Sequence, residues 1–207
     1  MKTQNSNNNN INSEPAVVSP TPKKSSNPSW WEILKFAVIT AAIVLPIRAF
    51  IAQPFIVSGA SMEPNFYNHE YLIVDELSYQ FRSPLRGEVV IFRFPENPSM
   101  FFIKRIVGLP GETVDIANSK ITITNAKGQK QTLKEPYAEG ITTTDYNHLK
   151  LGADEYFVVG DHREVSYDSR RWGPVKIDLI KGRAWLRLLP PTKMSYLPSD
   201  GTTLNKQ

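Results

Sequence analysis

The chain has 207 residues, with 24 basic and 20 acidic side chains, a formal charge of +4, and 41% hydrophobic and 11% aromatic residues. That length suits one compact domain plus tails, and the apolar content suffices for a buried core, which excludes wholesale disorder. The mild, dispersed excess of base argues against nucleic-acid binding. The absence of cysteine excludes disulfides, thiolate nucleophiles and Cys-ligated metal centres.

Residues 1–29 are rich in Asn, Ser and Pro, with an Asn run at 7–10, and read as a disordered tail with no role beyond spacing. From Trp30 to Phe55 the chain turns apolar. The strictly uncharged window, Phe36 to Ile47, is 12 residues, short for a span taken alone. Lys35 and Arg48 can snorkel towards opposite interfaces, and Trp30 and Trp31 suit an interfacial belt. A helix from Trp31 to Ala52 would rise about 32 Å, enough for a bilayer core of ~30 Å. The reading is one uncleaved transmembrane helix over residues 30–52, with a core helix as the alternative. Lys23 and Lys24 precede it, whereas residues 49–70 hold no Lys or Arg. The tail is therefore expected in the cytoplasm and the body outside.

The body, 53–190, reads as β. Short β-rich runs occur at 71–75, 87–94, 101–107, 113–116, 120–124, 156–159 and 183–189, punctuated by Pro, Gly and Asn. Only Val175 to Ile180 suggests a helical turn. Many short strands with few helices predict a mainly β, antiparallel body. Residues 117–153 are more polar and read as a hairpin insertion. The stretch from 190 to 207, Pro-rich and then polar, reads as a C-terminal tail.

Three segments can carry chemistry. In Val57-Ser-Gly-Ala-Ser-Met-Glu-Pro-Asn65, Gly59 permits a tight turn that leaves backbone N–H donors beside a serine. A loop with solvated hydroxyls is the plainer reading of that segment alone. In Phe101-Phe-Ile-Lys-Arg-Ile-Val107, strand alternation puts Lys104 on one face with Phe102 and Ile106. A lysine among apolar neighbours is desolvated, its pKa falls, and it can serve as a base near neutrality. An edge-strand lysine reaching to water fits the spacing equally well. The loop from Gly160 to Gly173 is dense in hydroxyls, Asp and Arg. Asp168 and Arg170 can pair there, and Ser166 or Ser169 can hydrogen-bond a buried base. A His-based triad is the competing scheme. His69, His148 and His162 are scattered through a turn, the insertion and a site beside Asp161, so it is disfavoured.

Taken together, these segments resemble the bacterial type I signal peptidases, serine proteases with a Ser–Lys dyad. The resemblance covers roughly residues 30–190. Ser61-Met62-x-Pro64 resembles the nucleophile box. Arg86 to Phe92 resembles the RGD-hydrophobic strand, with Glu88 for Asp. Lys104-Arg105 with Val107 to Glu112 resembles the general-base box, and Gly160 to Gly173 the last box, with His162 for Asn and Glu164 for Asp. The resemblance implies a signal-peptidase-like, LexA-like β fold, with Ser61 as nucleophile and Lys104 as base. It implies an oxyanion held by the nucleophile's backbone N–H. Members with Ser-Gly-Ser-Met add the hydroxyl two residues upstream; here the upstream hydroxyl, Ser58, lies three residues before Ser61. Ser166 corresponds to the serine that orients the lysine, and Asp161, Asp168 and Arg170 to bracing residues. Met62, Phe102 and Ile103 are expected to wall the pockets for small residues before the cut.

The resemblance further implies signal-peptide-bearing preproteins as substrates, a lipid bilayer as partner, no cofactor or metal, no nucleic acid and a monomer. It implies a single-pass protein of the bacterial plasma (inner) membrane with its catalytic domain on the outer face. Two other readings compete. One is a self-cleaving Ser–Lys protease like the LexA-type repressors, although residues 1–29 could not form their DNA-binding domain. The other is an inactive, anchored β binding module, which would predict loss of Ser61 or Lys104.

Overall fold

The structure is a computed structural model that describes residues 29–46, 52–138 and 146–197. The chain divides into two units, Met1–Thr40 and Ala41–Gln207. Helix α1 (Trp30–Pro46) starts in the first. At its entry the Glu32 carboxylate accepts from the Ser29 N–H at 3.3 Å, one half of a capping box, while the Glu32 N–H donates to the Ser29 backbone carbonyl at 2.7 Å. Its apolar side chains, among them Phe36, Ile39 and Leu45, are exposed.

The expected helix as far as Ala52 is corrected here. Helix α1 has 17 residues, a rise of about 26 Å, and Ala52 opens a strand. Residues 47–51 lie outside the described residues, and no described helix is long and apolar enough to cross a membrane. The tail expected over residues 1–29 lies outside them too, apart from Ser29.

The body is antiparallel β, as its alternating runs require. Its strands are β1 (Ala52–Ile56), β2 (Tyr71–Asp75), β3 (Val89–Phe94), β4 (Asn97–Gly108), β5 (Thr113–Ala117), β6 (Lys120–Thr124), β7 (Lys130–Thr132), β8 (Tyr146–Lys150), β9 (Glu155–Val159), β10 (Val175–Lys176), β11 (Ile180–Leu189) and β12 (Ser195–Tyr196). One sheet runs β1-β2-β11-β3-β4-β9-β10, with β12 on β11; the other runs β7-β6-β5-β8. The helical turn expected near Val175 to Ile180 is a 3-10 turn at Ile177–Leu179. Part of the stretch expected as a tail is ordered: Ser195–Tyr196 pair with Arg187 and Leu186, and Leu197 is buried.

Strand period explains three cores. Along β3, Val89 and Ile91 join Met62, Phe66, Leu72 and Val74 on one face. Val90 and Phe92 join Ile106, Val158 and Val175 on the other. Phe157 and Val159 of β9 close a third core against Val114, Ile116, Ile121 and Ile123 of the second sheet. Strand β4 pairs with β3 across Lys104 and with β9 from Arg105 on, and Lys104 is 4% exposed, so the alternative of a lysine reaching to water fails.

Candidate active site

Ser61 sits on a turn between β1 and β2. Gly59, with φ of 93°, makes the turn that a side chain would strain. The Glu63 N–H to Ala60 carbonyl bond (3.2 Å) and the Asn65 N–H to Met62 carbonyl bond (3.0 Å) continue the turn, and Glu63–Pro64 is cis. From β4, Lys104 reaches this turn, and its Nζ lies 2.5 Å from Ser61 Oγ. The two residues are 43 apart in sequence.

Lys104 is 4% exposed, and its Nζ lies 5.7 Å from the centre of the Phe102 ring. Burial pulls its pKa from 10.5 down to about 8. The carboxylates of Asp168 and Asp161 pull the other way, and Arg170 adds a further downward push. An amine with that pKa, in contact with a hydroxyl, can take the hydroxyl's proton near neutral pH.

The loop after β9 braces both groups. Asp161 is fully buried and accepts Arg105 Nε at 2.8 Å and Arg105 Nη2 at 2.6 Å. Asp168 is also fully buried. It caps the short helix Ser169–Trp172 and accepts from the Gly160 N–H at 3.0 Å and from Arg170 Nε at 2.8 Å. Burial pushes the Asp168 carboxyl up, but the Arg170 bonds and charge, with the Gly160 N–H, outweigh that and hold it low. The His162 N–H donates to the Ser61 carbonyl at 3.1 Å. A Cβ on Gly160 would collide with Ser166 Oγ and the Ser61 carbonyl, so this glycine permits the close approach.

Beside the dyad runs a largely apolar groove of about 470 Å³, with Ser61 and Lys104 in its wall. Its rim includes Ile56, Met100, Phe101, Val165 and Tyr167, all exposed. Among the described residues no group of three or more His, Asp or Glu side chains could hold a metal ion.

The model of the signal peptidase family, peptidase S26, matches residues 30–189. The chain belongs to this family. A probable signal peptidase I-2 of Synechocystis sp. is 34% identical, over 89% of this chain and 86% of its own. A signal peptidase I of Leptolyngbya laminosa is 34% identical, over 88% of this chain and 91% of its own. A crystal structure of a signal peptidase I from Enterococcus faecalis V583 aligns at TM-score 0.42 and 29% identity, over 49% of this chain and 97% of that one.

Most residues singled out from the sequence of this peptidase do meet. Ser61, Lys104, Phe102 and Ile103 line the groove, as does exposed Ser58. Met62 does not. It is 1% exposed, in the core under the turn, because a strand-facing apolar side chain gains more from burial than from lining an open groove. Ser166 packs on Gly160 and favours the charged form of Asp168, but it makes no well-directed hydrogen bond, to Lys104 or otherwise. Among the described residues the one His–Asp pair, His148 with Asp115 at 2.7 Å, is on the second sheet, away from the groove. Asn65 and Tyr137, and the pairing of Arg105 with Asp161, are not read from the sequence: these contacts span dozens of residues, and no local motif announces the pairings.

Proposed function

We propose that this peptidase cuts signal peptides from exported preproteins, with Ser61 as nucleophile and Lys104 as general base. The 2.5 Å contact between Ser61 Oγ and the buried Lys104 Nζ carries the reading. Neutral Lys104 takes the Ser61 proton as Oγ attacks the scissile carbonyl, and passes it to the leaving amine. Lys104 then takes a proton from water, whose hydroxide attacks the acyl-enzyme ester. The new acid leaves and the proton returns to Ser61. The Ser61 N–H, which makes no backbone hydrogen bond among the described residues, is free to donate to the oxyanion, with exposed Ser58 lining the same groove. Asp161, Asp168, Arg170 and Ser166 brace the dyad.

The groove walls near Phe102 and Ile103 receive small residues before the cut. The apolar, exposed side chains of α1 and the residues after it anchor the protein in a bilayer, with the N-terminus in the cytoplasm and the catalytic body on the outer face as a monomer. That placement sets the dyad beside a substrate held by its own apolar segment, which raises the effective concentration. The test is incubation of the detergent-solubilised full chain with a preprotein, followed by sequencing of the product's N-terminus. A cut after a small-x-small site, lost in Ser61→Ala and in Lys104→Ala, is expected. Cleavage that survives Lys104→Ala overturns the lysine-base mechanism.

A further inference from the structure

The nucleophile stands on a turn and the base on a strand, so sheet register alone does not set their separation. We propose that Asn65 is the positioning residue that holds the Ser61 turn against the Lys104 strand. The inference rests on the Ser61–Lys104 reading of the site.

Asn65 is 7% exposed and four residues past Ser61. Its Nδ2 donates to Asp161 Oδ2 at 2.8 Å and to the Tyr137 carbonyl at 2.6 Å, so both amide protons are used. The same Asp161 carboxylate receives the two-pronged grip of Arg105, the residue next to Lys104 on β4. Asp161 therefore joins the nucleophile turn to the base strand through two buried side chains. The neighbouring His162 N–H holds the Ser61 carbonyl. The Asp161–His162 dipeptide thus grips the turn at Ser61 and again at Asn65. From the other side, Arg187 Nη2 donates to the Asn65 backbone carbonyl.

The segment after β7 joins through the same residue. The Tyr137 ring lies 4.1 Å from the Arg105 guanidinium, and Glu135 pairs with Arg163 at 2.6 Å. The segment that follows β7 in the second sheet is thereby pinned to the turn. A Ser at 65 could donate only one hydrogen bond and would have to release Asp161 or Tyr137. A purely structural amide would satisfy buried acceptors without affecting how Ser61 meets Lys104.

The chain has no cysteine, so Ser61→Cys in the full-length protein adds one thiol, whose pKa is read from the pH dependence of alkylation by iodoacetamide. An unperturbed thiol titrates near ~8.5, and an adjacent ammonium lowers it. Ser61→Cys is expected below Ser61→Cys/Lys104→Met. Adding Asn65→Leu to Ser61→Cys should move the thiol most of the way to the lysine-free value. If Asn65→Leu leaves it at the Ser61→Cys value, the proposal is overturned. It is equally overturned if the lysine-free control matches Ser61→Cys, since there is then no contact to position.

Circular dichroism checks that each variant is folded. Should Asn65→Leu fail to fold, Asn65→Ser takes its place with a smaller expected shift, and no shift again refutes. This readout needs no proteolysis, so it is separate from the function assay, in which wild type is compared with Ser61→Ala. In that assay Asn65→Leu should lower kcat about 10–100-fold with KM nearly unchanged, the cost of a misplaced nucleophile.

Discussion

The pH dependence of turnover follows from the environment of Lys104. Burial brings its pKa from 10.5 to about 8. With that pKa about one molecule in eleven carries a neutral Lys104 near pH 7, and about ten in eleven do near pH 9. A solvated lysine would be neutral in only about one molecule in 3,000 near pH 7, so burial raises the reactive fraction there roughly 300-fold. kcat/KM should therefore climb about tenfold from pH ~7 to pH ~9, with one acid limb centred near 8. The assay is initial-rate cleavage of a preprotein below KM across that range. Phe102→Ser is the accompanying perturbation. The Phe102 ring is 5.7 Å from Nζ, and opening that side to water should return the ammonium's hydration and move the limb to higher pH. A limb near ~6.5, the ordinary histidine range, would refute the lysine-base reasoning and bring His162 back. So would a limb that Phe102→Ser leaves in place.

Three further outcomes are expected. Lys104→Met should abolish cleavage yet raise stability to urea near neutral pH, by up to about 3 kcal/mol, since it removes a desolvated ammonium. The folded pKa, about 8, lies below the ordinary 10.5; the wild type bears the full penalty below pH 8 and sheds it as pH rises to 10.5, so the gain should fade across that window. Gly160→Ala should lower kcat about 100-fold or more in single-turnover assays, because its Cβ collides with the Ser61 carbonyl and Ser166 Oγ. Asp168→Asn should destabilise by roughly 3 kcal/mol in urea titration by leaving Arg170 buried without its counter-charge. It should also shift the acid limb to lower pH, because Asp168 raises the Lys104 pKa.

Local pattern was enough to read some of these features and not others. The alternation in 101–107 put Lys104 on one face with Phe102, and the structure sets that ring beside Nζ. Turn chemistry at Gly59 and the breakers around 109–111 and 160 gave the strand boundaries. Strand β1 (Ala52–Ile56) is not read from the sequence: the helix reading runs to Ala52 and the helical period ends only after Pro54, a proline that β1 tolerates as an edge strand. Strand β4 begins at Asn97, earlier than its apolar run, through the Phe94–Asn97 pairing. Asp161 and Asn65 lie 96 residues apart, and the partner of a buried polar group at that separation is set by tertiary packing, for which no spacing rule exists.

The carboxylates around Lys104 also explain why such a site can hold a buried amine at all. Asp161 and Asp168 are both fully buried and each is matched by an arginine, at 2.6 Å for Arg105 and 2.8 Å for Arg170. Unpaired, either would draw a proton or hold Lys104 as an ammonium by direct attraction. Paired, they retain a residual upward pull on Lys104 that is smaller than the downward effect of burial. Were the arginines absent, the two carboxylates would pull the Lys104 pKa back up, and its neutral fraction near neutrality would fall below about one in eleven. Were the aspartates absent, two buried guanidiniums would face the amine unscreened. The ion pairs therefore contribute chiefly by fixing where the amine titrates. Their removal should show in the pH profile, and in overall stability wherever one partner of a pair is left buried without the other.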